Sequence, residues 1–146
     1  MTRLFTFSKE ERLSHKKAID ALFNQGSSFN LSPFKVIYLR QTPAMAVPVQ
    51  VLVGVPKKKF KRAVDRNRLR RMIREAYRLN KHRLTDHTEA LPYTLQVGFI
   101  YIADRLDIPF AELEKQMVSC LDRMVKIIGD NRNTGRSASG GGDGVY

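Results

Sequence analysis

Apolar residues recur along the chain with two periods, and the switches between them divide it into elements. After Ser14, the residues Ala18, Ile19, Leu22 and Phe23 keep the three-and-four spacing of one helix face, and Gly26 is placed to stop it. This predicts a short amphipathic helix over 15–25 with Ser14 as its N-cap. Over 33–40 the period drops to two. Phe34, Val36 and Tyr38 share one side and Lys35, Ile37 and Leu39 the other, which predicts a strand with both faces partly covered. A turn over 41–46 carries Pro43, and the Val-rich stretch 47–55 predicts a second strand. Pro48 puts the start of that strand at an edge or outside the ladder. The two strands are expected to pair as a hairpin with a loop of several residues.

The helical period returns from Ala63 to about Arg83, in what reads as the longest helix. Leu69, Met72, Ile73, Ala76 and Leu79 make its apolar stripe. Asn67, Arg70, Arg71, Arg74 and Arg78 fall on the opposite face, flanked by Arg66 and Arg68. A polar loop over 84–92 leads to a strand over 93–102, in which Gly98 suggests a bulge. Asp107 as N-cap and Pro109 in the first turn open a last helix. Its stripe runs through Phe110, Leu113, Met117, Cys120, Leu121, Met124, Ile127 and Ile128.

The order αββαβα implies an α/β fold, a small sheet covered by helices, with a βαβ crossover through the helix after Ala63. One domain over 1–128 fits the length of 146 residues and can bury a core without disulfides or a metal. Residues 1–12 are polar apart from Met1, Leu4, Phe5 and Phe7 and are expected to lie over the body as an arm, where Ser8 and Glu11 have capping-box spacing. Residues 129–146 hold six of the nine glycines and little that is apolar. Such a segment cannot offset its ordering entropy, so a disordered tail is expected.

Charge changes this picture more than any other bulk property. The chain carries +12, and residues 57–83 alone hold thirteen Lys or Arg against two acids, Asp65 and Glu75, a net +11. A solvated helix face usually alternates signs to gain i,i+4 pairs. A run of one sign repels itself, and a polyanion would offset that cost. Lys57, Lys58, Lys59, Lys61, Arg62, Arg66, Arg68, Arg70, Arg71, Arg74 and Arg78 are therefore the candidate RNA-binding residues, with the neutral Asn67 lying among them on the helix face. Phe23, Phe34 and Tyr38 are candidates for stacking on splayed bases.

Candidate catalytic groups are sparse. His15, His82 and His87 have no metal-ligand spacing. Cys120 lies on an apolar stripe and reads as a buried structural thiol. Asp104 and Asp107 flank Arg105 in what reads as a turn and helix cap. There is no Gly-rich phosphate loop, GxSxG elbow or carboxylate cluster for two metals. No catalytic or metal-ligating residue is assigned. One cysteine fits a reducing compartment, and no run approaches a membrane span or a signal h-region. A cytoplasmic location is expected.

The segment Ala63-Val64-Asp65-Arg66-Asn67-Arg68-Leu69-Arg70-Arg71-Met72-Ile73-Arg74-Glu75-Ala76 resembles the signature of the bacterial ribonuclease P protein component. The resemblance takes in Lys57-Lys58-Lys59, the early helix with Phe23 and Gly26, the turn Ala103-Asp104-Arg105 and the last helix, roughly residues 10–128. It implies an α/β sandwich with a left-handed βαβ crossover, against the strong right-handed default. It also implies a partnership with a catalytic RNA that uses Mg²⁺ to remove the 5′ leader of precursor tRNA. The protein would be a subunit of that endoribonuclease and would supply no nucleophile. The Arg-Asn-Arg region would meet the catalytic RNA. A cleft between the sheet and the first helix would hold the leader through Ile19, Phe23, Lys35 and Ile37.

Two departures from the family pattern stand out. The family often has an aromatic where Ile19 stands and a Tyr near Ile37, so stacking on the leader would either be weaker here or be taken over by Phe34 or Tyr38. It often has Gly-Asn where this chain has Lys61-Arg62, which adds a possible phosphate contact. No membrane and no obligate protein partner are expected. The alternatives from other classes are a structural RNA-binding protein, such as a ribosomal or assembly factor, and a membrane-surface protein with a basic amphipathic helix.

Overall fold

A computed structural model describes residues 7–134. The elements follow in the order α1 (Lys16–Gln25), β1 (Ser27–Leu31), β2 (Phe34–Gln41), β3 (Val49–Gly54), α2 (Ala63–Asn80), α3 (His82–Thr85), β4 (Thr94–Tyr101) and α4 (Phe110–Thr134), after a single 3-10 turn at Lys9–Glu11. Among the described residues four strands form one sheet, ordered β1-β2-β4-β3. β2 runs antiparallel to β1 and to β4, and β3 runs parallel to β4. The run from β3 through α2 to β4 is thus the expected βαβ crossover.

Each face of the sheet has its own cover. Phe34 and Val36 of β2, Val51 and Val53 of β3, and Val97 and Phe99 of β4 join Leu69, Ile73 and Tyr77 of α2 and Leu113, Met117 and Leu121 of α4 in the main core. Ile37 and the half-buried Leu39, Leu52 and Ile100 face the other way and pack with Leu13, Ile19 and Leu22. The molecule is therefore layered, α1 on one side and α2 with α4 on the other, as the period of two along β2 requires.

Several expectations change. The strands over 33–40 and 47–55 do not form a hairpin, because β4 lies between them. β2 instead forms its hairpin with β1, an element that the sequence reading passed over. β1 alternates in the sense of a half-covered edge: Phe29 and Leu31 join the core while Ser28 and Asn30 face away. The longest helix is α4 with 25 residues, and α2 has 18. Lys81 breaks the helix expected to run to about Arg83, and the separate turn α3 carries helical structure two residues into the stretch 84–92 expected to be a loop. α4 runs six residues past the predicted end of the domain at residue 128. Leu4 and Phe5 of the arm, and residues 135–146 of the tail, lie outside the described residues.

The expected caps also move. The N-cap position of α1 is His15, with no side-chain bond, one residue after Ser14. The Leu113 N–H donates to the Pro109 carbonyl at 3.1 Å, so α4 opens past Asp107, whose carboxylate lies 3.8 Å from Arg105. Gly98 marks no bulge, since the ladder passes through it in register with Ile37 and Leu52. It makes room for α1: a Cβ there would stand 3.3 Å from Leu22 Cδ2. Gly26 does end α1, and the reason is space. A Cβ would come within 2.6 Å of the Leu22 carbonyl oxygen and 2.8 Å of that of Tyr38.

Candidate nucleic-acid interface

The basic run begins where β3 leaves the sheet. Val55 and Phe60 are buried on either side of the exposed Lys57, Lys58 and Lys59. The turn closes through the N–H groups of Lys59 and Phe60, which donate to the Pro56 carbonyl at 3.2 and 3.3 Å. The Phe60 ring packs on Tyr101, centroids 6.0 Å apart. Three lysines are thus pushed outward on an anchored loop. Lys59 reaches across to Asp104 at 2.7 Å, joining this loop to the one after β4. Lys61 and Arg62 are exposed, and Arg62 stands 3.8 Å from Asp65.

On α2 the apolar stripe packs inward as expected, with Leu69, Ile73 and Ala76 buried together with Tyr77. The arginines divide into two groups. Some hold the fold. Arg66 Nη1 donates to the carbonyls of Phe60 and Lys61, both at 2.9 Å, fixing the loop to the helix. Arg68 Nη1 donates to the Leu106 carbonyl at 2.8 Å, pinning the connection that leads to α4. Arg78 forms a fork on Glu75 at 2.6 and 3.0 Å. That fork holds the Glu75 carboxyl below its ordinary range and raises Arg78. Arg70 donates to Asn67 Oδ1 at 2.8 Å.

Arg71 and Arg74 form the second group. They are exposed, and among the described residues no carboxylate lies within ion-pair distance of either. Burial, then the charges of Arg12 and Arg70, push Arg74 below its ordinary value. A face of this kind suits anions that are diffuse and repeated, as phosphates are along a backbone.

The cleft residues sort by parity. Phe34 is fully buried in the main core, edge-on to Phe99 and Tyr101. Tyr38 shares that face and lies 6.4 Å from Phe29. Neither can replace a stacking residue under α1, because alternate residues of a strand point to opposite faces. Lys35 and Ile37 do point to the α1 side. Ile37 is 1% exposed and forms the floor, and Lys35 is half-buried opposite Ile100. Ile19 packs on this small core, while Phe23, four residues along α1, is 41% exposed.

Leu52 and Ile100 complete the surface and were absent from the candidates. The alternation of Gln50, Leu52 and Gly54 against Val49, Val51 and Val53 is the signal that could have found them. Gly54 pairs with Ile100 and precedes Lys57 by three residues. The α1-side surface and the basic loop therefore adjoin at the end of the sheet where β3 and β4 finish.

Other chemistry is sparse among the described residues. No group of three or more His, Cys, Asp or Glu is placed to hold a metal ion. Cys120 is buried, and desolvation pushes its thiol up to about 12. His15 and His87 are exposed. No described helix is long and apolar enough to cross a membrane.

Comparison with known proteins bears on the same residues. The sequence model of the family described as Ribonuclease P matches residues 7–125. A "Ribonuclease P protein component" of Porphyromonas gingivalis is 38% identical over 120 residues, 82% of this chain and 87% of that protein. One of Chlorobium phaeobacteroides is 35% identical over 127 residues, with the same coverage. Among solved structures, the RNase P protein from Thermotoga maritima aligns with a TM-score of 0.62 at 22% identity, covering 77% of this chain and 96% of that one.

Proposed function

The chain belongs to the ribonuclease P protein family, and from that premise we propose that it binds a catalytic RNA through α2 and the 5′ leader of precursor tRNA through the surface under α1. The family name places the chain in a ribonucleoprotein endonuclease of tRNA processing. The finer reading is that the RNA subunit carries out the cleavage. The protein then supplies binding, charge neutralisation and orientation, and no nucleophile.

The observation that carries this reading is the adjacency of two unlike surfaces. One is strongly basic and built from Lys57, Lys58, Lys61, Asn67, Arg71 and Arg74. The other is apolar with one cation, built from Ile19, Phe23, Lys35, Leu52 and Ile100. Both open at the end of the sheet where β3 and β4 finish. A catalytic RNA and its RNA substrate repel each other, and a +12 protein touching both lowers that repulsion. Phosphates suit the first surface; on the second, an unstacked base suits the exposed aromatic Phe23.

Mg²⁺ belongs in this proposal to the RNA-containing holoenzyme. The proposed setting is the cytoplasm, with no membrane and no obligate protein partner.

The test is leader cleavage of a precursor tRNA at low Mg²⁺ by the protein alone, the catalytic RNA alone and the two together. Cleavage in the mixture only, weakened by Arg71→Ala with Arg74→Ala, is the expected result. Cleavage by the protein alone, or no effect of protein on the RNA, contradicts it.

A further inference from the structure

Residues 7–13 form a strap with three anchors. Phe7 meets the Tyr77 ring edge-on, centroids 5.5 Å apart. Glu11 takes a 2.6 Å ion pair from the buried Lys81 on one carboxylate oxygen, and the Ser8 N–H at 2.7 Å on the other. Leu13 is buried, and its N–H donates to the Val51 carbonyl at 2.9 Å, along the free edge of β3. The residue between the last two anchors is Arg12. Because Glu11 and Leu13 point inward, its side chain points outward. The guanidinium lies over the Phe7 ring, 5.2 Å from the centroid, with a long 3.5 Å contact to the Phe7 carbonyl.

Arg12 and Arg74 come from elements far apart in sequence and line one hollow. Phe7, Val51 and Val53 form its apolar walls, and its volume is about 60 Å³. The hollow is small and carries both guanidiniums on its wall, which suits the oxygens of one phosphate. Burial and the charge of Arg12 both lower the proton affinity of Arg74. Among the described residues no carboxylate lies within ion-pair distance of either arginine. Two guanidiniums held together without a counter-anion repel each other, and the three anchors of the strap oppose that repulsion.

We propose that Arg12 and Arg74 form a clamp for one backbone phosphate of the catalytic RNA, and that the N-terminal strap is thereby part of the RNA-binding surface. This rests on reading the exposed face of α2 as the site for that RNA. Guanidinium forks match phosphate oxygens bidentately. Apolar walls strengthen such bonds by excluding water. The ring of Phe7 restrains Arg12 before the RNA arrives.

The test is binding of the full chain to the catalytic RNA by fluorescence anisotropy over a salt series. The variants are Arg12→Ala, Arg12→Lys, Arg74→Ala, the Arg12→Ala/Arg74→Ala pair, and Arg71→Ala as a control for the α2 face. Arg12→Ala is expected to weaken binding by about tenfold and to flatten the log–log salt slope by roughly 0.7–0.9. The double variant should lose less than the product of the two single losses, because one phosphate is shared. Arg12→Lys should recover part of the loss.

Wild-type affinity and slope for Arg12→Ala, or losses that multiply, would overturn the clamp. If Arg71→Ala weakens binding while Arg12→Ala does not, the clamp alone fails. If Arg71→Ala, Arg74→Ala and Arg12→Ala are all silent, the reading of α2 fails with it.

Discussion

Phe23 and Ile37 are both apolar residues on the α1 side of the sheet, and they differ in what surrounds them. Ile37 is 1% exposed beneath Leu22, and Phe23 is 41% exposed. Truncating Ile37 to Ala removes buried methylenes and should cost about 2–5 kcal/mol in a urea melt. Phe23→Ala should leave stability within about 0.5 kcal/mol. Its effect should appear in precursor tRNA binding, weakened by about tenfold if a leader base stacks there. The opposite pattern, a destabilised Phe23→Ala with unchanged binding, would make the ring structural.

Cys120 gives a pH signature. Its thiol is pushed up to about 12 by burial, with Arg123 opposing, whereas an unfolded thiol titrates near about 8.5. The unfolded state then loses its proton first as pH rises. Stability that depends on this thiol should be complete below about 8.5 and fall from there toward 12. Iodoacetamide at pH 8 should modify Cys120 in urea and spare it in the native protein. Rapid native labelling would contradict its burial.

Among the elements, the connections into α2 and α4 are tied together, by Lys59 to Asp104 at 2.7 Å and by Arg68 to the Leu106 carbonyl at 2.8 Å. Asp104 is an 88% exposed acid within the basic surface, and it neutralises Lys59 in the free protein. Asp104→Asn should release that lysine to a phosphate, tightening RNA binding and steepening the salt slope by roughly 0.7–0.9. An unchanged slope would mean that Lys59 meets no phosphate.

Element periodicity was legible in the sequence because burial imposes it: the stripes of α1, α2 and α4 and the two-sided β2 stand where the apolar spacing places them. Strand neighbours were not legible. Alternation says which way Lys35 and Phe34 point and says nothing of β4 inserting between β2 and β3, so a hairpin was expected where none exists. Placing Phe34 and Tyr38 in the leader cleft ignored that same alternation. The roles of Arg66 and Arg68 were hidden for another reason. Their partners are backbone carbonyls that the loops bring near, and backbone carbonyls leave no mark in side-chain pattern. Arg12 was missed because only the fold brings it beside Arg74.

For the molecule as a whole, the layered sheet separates two tasks and lets them meet at one end. α2 and the lysine loop present positive charge, while the α1 side carries the exposed Phe23 and an apolar row that ends at Ile100 opposite Lys35. In the proposed assembly the first holds the catalytic RNA and the second holds the leader. Affinity gained from the protein should therefore depend on the leader and be absent from the mature product. The measurement that tests this most directly is the affinity of the catalytic RNA for a precursor tRNA and for the same tRNA without its leader, each with and without the protein. The expected result is a large gain for the precursor and little or none for the mature tRNA. An equal gain for both would contradict a leader-binding role for the surface under α1.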